Sequence, residues 1–286
     1  MSTWYAIVAT FLAGASAAGC STSSDGTSGT TGRAVALETH IEIRGDLTQA
    51  KENALGWKVA LSRAYLSVGA LYYYSGDPVL SFDGALRHRR ANTWAWLAGL
   101  LEKPAWAHPG HYIEGAAMGQ MLEPETVDLL GGPVDLADGD GVTGTVNSAK
   151  FTWQSPPRGE LASKLDGHVV LAEGTATQGN TTIRFLAQAD ADQVHDGSDK
   201  AEVAGCAFGS KPGDVGADVD DDGTVTLTLD PRVWFDQVDF AYVAPDASDA
   251  PKPDADGVVD IAGTLAWQGF VRGVKKGTAY EFSYAK

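Results

Sequence analysis

The sequence is poor in cysteine, with Cys20 and Cys206 alone among 286 residues. No disulfide framework can hold such a chain, so its stability must come from a core, aided at most by metals. It also lacks basic charge: 21 Lys and Arg stand against 37 Asp and Glu, a formal net charge of −16. A surface of that sign repels phosphate backbones, which argues against a nucleic-acid partner and leaves cations, basic proteins and neutral glycans open. Arg87-His88-Arg89-Arg90 is the one basic cluster, and a solvated face is preferred there to an anion site. Long apolar runs are missing too. The stretch Ala6–Ala18 is too short for a spanning helix of about 20 residues, and Trp94–Leu101 is shorter still.

Nor is there a motif for nucleophilic or phosphoryl chemistry. No Gly-x-Ser-x-Gly elbow and no phosphate-cradling glycine loop occurs, and Cys206 in Ala204-Gly205-Cys206-Ala207 has the neighbours of a small buried residue. Paired carboxylates for glycosidase chemistry meet in space, not in sequence, so they stay open. With no catalytic motif in view, the expectation is a non-enzymatic protein.

What the chain does have begins at its start. Residues 1–19 carry no charged side chain and end in small residues, the pattern of a signal peptide. Ser16-Ala17-Ala18-Gly19-Cys20 resembles the lipobox of bacterial lipoproteins, which implies lipidation of Cys20. Ala17 stands where leucine is usual, and no Lys or Arg precedes the apolar core. The alternative is ordinary cleavage at Ala15-Ser16-Ala17, leaving Cys20 as a free or disulfide-bonded thiol. Residues 20–33 then form a linker whose Ser, Thr and Gly cannot bury enough surface to order themselves. The resemblance implies export to the cell envelope, or periplasm, with the membrane met only through the lipid. It implies outer-membrane sorting where the host has two membranes, because Ser21 rather than Asp follows the cysteine.

Residues 34–286, about 250 in number, suit a single β-rich domain. Val35, Leu37, Thr39, Ile41 and Ile43 alternate with Ala36, Glu38, His40, Glu42 and Arg44, as on a half-buried strand. Trp57, Val59 and Leu61 continue this period, and the phase slips by Leu66 and Val68, which predicts a bulge or turn. Further strands are expected over 142–153, 168–176, 181–188, 224–229, 258–270 and 278–284. Asp140-Gly141, Asp222-Gly223 and Asp256-Gly257 read as the turns between them. The fold class is therefore mostly β, an antiparallel β-sandwich or small barrel with a few short helices. Helix is expected over 87–101 and 115–122, and in a turn that Asp230 caps and Pro231 opens. A membrane-spanning barrel is disfavoured, because the strands are irregular and the turns acidic.

Three groups of residues could hold a ligand. In His108-Pro109-Gly110-His111, Pro and Gly impose a turn that can direct two imidazoles to one point, with Glu114 as an oxygen donor. Imidazole suits copper or zinc, while Pro109 rules out the helical His pair of a zinc protease. A packed loop among Trp94, Trp96, Trp106 and Tyr112 is the competing reading. Asp218, Asp220 and Asp222, followed by Gly223, resemble the opening of a calcium-binding loop, but Leu229 stands where its bidentate Glu belongs. A turn is preferred there. His40 with Glu38 and Glu42 reads as a solvated strand face, and His168 and His195 as structural or exposed.

Gly56-Trp57-Lys58-Val59-Ala60-Leu61 through Ala64-Tyr65-Leu66-Ser67-Val68 is similar to exported copper-binding proteins of methanobactin-type operons. The similarity covers under a tenth of the chain and carries no site residue across. The expectation is a lipid-anchored binding protein, with copper or zinc at His108 and His111. The alternative is an adhesion or scaffold module recognising protein or glycan without metal, for example an envelope protein partner.

Overall fold

The computed structural model describes residues 32–79, 112–195, 200–248 and 250–286. Cys20, the basic cluster, the helix expected over 87–101, and His108 and His111 all lie outside them.

The first strands are β1 (Ala34–Ile43), β2 (Lys51–Glu52), β3 (Lys58–Tyr74), β4 (Ala117–Met121), β5 (Glu125–Asp128) and β6 (Val134–Asp135). Then come β7 (Gly139–Val142), β8 (Gly144–Val146), β9 (Ser148–Trp153), β10 (Val170–Gln178), β11 (Thr181–Ala189) and β12 (Glu202–Gly209). Four more follow: β13 (Ala217–Val219), β14 (Gly223–Leu229), β15 (Val258–Asp260) and β16 (Tyr280–Ala285). One α-helix, α1 (Leu265–Val274), lies between the last two.

Eight strands close a ring in the order β1, β14, β16, β12, β9, β3, β4, β7 and back to β1. Of the two expected forms of a mostly β chain, the barrel is the one built. Its sheet is mixed, because β14 runs parallel to β1 and β16 parallel to β12. Burial along β1 follows the expected alternation: Val35, Leu37, Thr39 and Ile41 are buried, while Ala36, Glu38 and Glu42 are exposed. A lipid-facing barrel has the opposite sense, with an apolar outer band. No helix of the described residues is long and apolar enough to cross a membrane.

Aromatic rings fill the lumen. Tyr73 lies 5.4 Å from Phe208 and 6.1 Å from Phe282, and Phe151 stacks on Tyr280 at 4.6 Å with Trp153 edge-on to both. Rings of this size fill a small barrel with packed side chains.

β3 is the longest strand, and it explains the phase slip seen in the sequence. Leu61 pairs with Gly174 and Arg63 with Glu173, so Ser62 is the extra residue of a bulge. The bulge needs Gly174, because a Cβ there would lie 2.2 Å from the Ala60 carbonyl oxygen. Beyond the barrel, the first half of β3 extends the same sheet through β10, β11 and β15. Phe185 on β11 meets Phe235 and Phe240 from two 3-10 turns, Pro231–Phe235 and Phe240–Val243, and Phe270 of α1 closes on Phe235 at 5.3 Å.

Three local expectations are corrected. Residues 258–270 are not one strand: β15 ends at Asp260, and α1 begins after Thr264, whose hydroxyl caps it by accepting from the Trp267 N–H at 3.2 Å. Residues 115–122 give strand β4 instead of helix, because pairing with β3 and β7 overrides the propensities of Ala, Met and Gln. Asp140-Gly141 lies inside β7, where Gly141 admits the Leu37 side chain. The expected turn at Pro231 forms with its cap, the Asp230 side chain accepting from the Arg232 N–H.

Candidate functional site

Strand β9 presents alternate residues to the two sides of the barrel wall. Phe151 and Trp153 pack in the lumen, so Ser148 and Lys150 face outward, yet both are buried, Lys150 to 8% exposure. They are covered by the segments on either side of residues 80–111. The Ser148 hydroxyl donates to the Gly76 carbonyl at 2.6 Å and shares a 2.8 Å hydrogen bond with the Tyr112 hydroxyl. Asn147 Nδ2 donates to the Ser75 carbonyl at 2.8 Å, and the Gly76 N–H donates to the Glu114 carbonyl at 2.9 Å. The Val79 N–H donates to the Gly205 carbonyl on β12 at 2.9 Å. Val79 and Tyr112 thus sit on one patch of β9 and β12. Gly205, at φ 70°, makes this close seat possible, since a Cβ there would fall 2.7 Å from Val79 and 3.1 Å from Tyr112.

Lys150 sits at the centre of the patch. Its ammonium is ion-paired to Glu114, reaches Glu202 at 3.5 Å and lies 5.6 Å from the centre of the Tyr74 ring. Burial works against this charge, but Glu114, Tyr74 and Glu202 outweigh it and push the lysine pKa up. The charged ammonium is thus the form that these partners favour. Burial likewise pushes the Tyr112 phenol up to about 12, against the hydrogen bond to Ser148. The arrangement is a positioning device: it holds Glu114 and Tyr112.

Of the expected ligand groups, Glu114 alone of the His108, His111 and Glu114 set is described, and its carboxylate is held by Lys150. The four aspartates before Gly223 are each engaged. Asp218 accepts from the Thr145 hydroxyl at 2.7 Å, and Asp222 from the Ala36 N–H at 2.9 Å. Asp220 pairs with Lys286 at 2.7 Å and Asp221 with Arg33 at 2.9 Å. They form a turn that ties both ends of the described chain to the start of β14. His40 pairs with Asp135, and His168 with Asp190 at 2.6 Å. Cys206 is buried, which pushes its thiol up to about 12. Among the described residues no group of three His, Cys, Asp or Glu is placed to hold a metal ion.

Sequence reasoning missed Lys150 and Glu202. Neither stands in a motif, and their neighbourhood arises only when β9 and β12 pair. The odd feature was a lysine inside Ser148–Trp153, an otherwise uncharged strand with two aromatics. No family model, no curated protein and no solved structure matches the chain.

Proposed function

We propose that the chain is a cell-envelope lipoprotein, anchored through Cys20, that works as a non-enzymatic binding protein. Its packed barrel is the scaffold, and the segment 80–111 is the binding element. The observation that carries the reading is the shared seat of that segment's two ends on the β9–β12 wall, with Tyr112 fixed directly after His111. In its sharpest form the ligand is copper or zinc at His108 and His111, with imidazole as the donor. Glu114 pairs with Lys150 through one carboxylate oxygen, so the other would be the donor to a metal.

Elemental analysis of purified protein, free of affinity histidines and loaded with copper or zinc, tests the metal. One metal per chain that is lost in the His108→Ala/His111→Ala variant is expected, and a folded protein that takes up none would sink this form. Exposed Ile113 and Val79 beside the seat favour a second reading, an adhesion or scaffold module that grips a protein partner. The anchor is tested separately: fatty-acid labelling of the expressed chain should disappear in Cys20→Ser.

A further inference from the structure

A second place on the molecule, well away in sequence from the β9–β12 seat, has the form of a small-molecule site. It is a cleft of about 100 Å³ between the loop leading from Leu47 to Asn53 and the 3-10 turn Pro231–Phe235. Leu47, Val59, Leu61 and Phe235 make its floor, and each is 9% exposed or less. An apolar cavity of about 150 Å³ holds a whole benzene ring, so this smaller cleft has room for the edge of a ring or a compact branched group.

The walls are held rigidly. Asn53 spans them: its Nδ2 donates to the carbonyls of Phe235 and Val238, both at 2.9 Å, while its Oδ1 accepts from the N–H groups of Leu55 and Trp57 at 3.0 Å. Arg232 grips Asp230 through Nε at 2.7 Å and Nη2 at 2.9 Å. That fork fixes the guanidinium, with Nη1 on the side of Gly45. Gly45, at φ 76°, admits this position, since a Cβ there would lie 2.8 Å from Nη1.

The charges around the cleft cancel. Asp230 is met by Arg232, Asp236 by Lys276 at 3.7 Å, and Lys51 stands beside Glu52 at the mouth. An anion would gain no net attraction here and would meet a chain of charge −16. A cation would face Arg232. We propose that the cleft binds a small uncharged molecule, an aromatic ring or compact branched chain that rests on the apolar floor.

Methyl NMR of the protein, labelled at Leu and Val and titrated with acetophenone, benzoate or benzylamine, tests the assignment. Acetophenone should shift the methyls of Leu47, Val59 and Leu61 saturably, with a Kd about tenfold below that of either ion. Val59→Phe, which fills the floor, should abolish those shifts while the remaining methyl spectrum reports that the variant is folded. Three outcomes would overturn the proposal: no saturable shift at the cleft methyls, tighter binding of benzoate or benzylamine, or unchanged binding in folded Val59→Phe. Should Val59→Phe fail to fold, the location of the acetophenone shifts in the unmutated protein still decides the matter.

Discussion

Replacing Lys150 with methionine keeps much of its volume and removes the cation between Glu114 and Glu202. Glu202, itself 9% exposed, is then a buried carboxylate without that partner, a situation that costs about 3 kcal/mol. Urea unfolding should show that loss for Lys150→Met, and the double variant Lys150→Met/Glu202→Gln should recover most of it, because no buried charge is left behind. Tyr112 gives a pH signature at the same seat. Its pKa is raised, so the stability it contributes is full below pH 10 and is lost as pH rises toward about 12. Phenolate absorbance compared with Tyr112→Phe should place this tyrosine's ionisation late in that window; ionisation near pH 10 would mean the hydroxyl is not buried against β9. Residues whose role is local were legible in the sequence. Asp230 could be read as a cap because a cap needs only its own next few residues. Lys150 could not, because its partners are 36 and 52 positions away.

Among the elements, β1 was legible and α1 was not. In β1 one face meets a core and the other meets solvent, so period two appears undiluted. In α1 the buried face includes Gly269 and Gly273 beside Ala266, Phe270 and Val274, and glycine contributes nothing to an apolar pattern. Those glycines are there for close approach: a Cβ on Gly273 would lie 2.3 Å from the Trp234 carbonyl oxygen. This fixes the sign of a substitution that helix propensity alone would get wrong. Alanine at 273 should gain about 1 kcal/mol in propensity and lose about 3 kcal/mol by forcing α1 off the 3-10 turn. Gly273→Ala should therefore be less stable by about 2 kcal/mol in a denaturant titration; a stabilised variant would show that helix and turn are not in contact.

At the scale of the whole molecule, β3 runs through both parts of one continuous core, the barrel and its sheet extension. Its later residues Leu71 and Tyr73 line the barrel, and its earlier residues Val59 and Leu61 pair with β10 in the extension of the sheet. A strand that is continuous through both cannot be lost from one and kept in the other. Fluorine NMR of the fluorotryptophan-labelled protein, with the Trp57 and Trp153 resonances assigned, should give one denaturant midpoint for both, the same as far-ultraviolet circular dichroism. Two separated midpoints would show that the bulge at Ser62 uncouples the two parts. The sequence could supply strands and their faces, because those depend on local alternation. It could not supply the ring order, since pairs such as β1 with β14 join residues nearly 190 positions apart, as Glu38 with Thr224.

Register also decides which end of the barrel is which. Ala34 pairs with Val142, Gly141 with Gly119, and Ala117 with Tyr74. Arg33, where the linker enters, is therefore at the same end as the patch that seats Val79 and Tyr112. On the lipid-anchored reading, the backbone from Cys20 to Arg33 can reach at most about 45 Å. Whatever the segment between those two seats captures would be kept within a shallow layer above the lipid, where two tethered molecules meet by searching a surface instead of a volume.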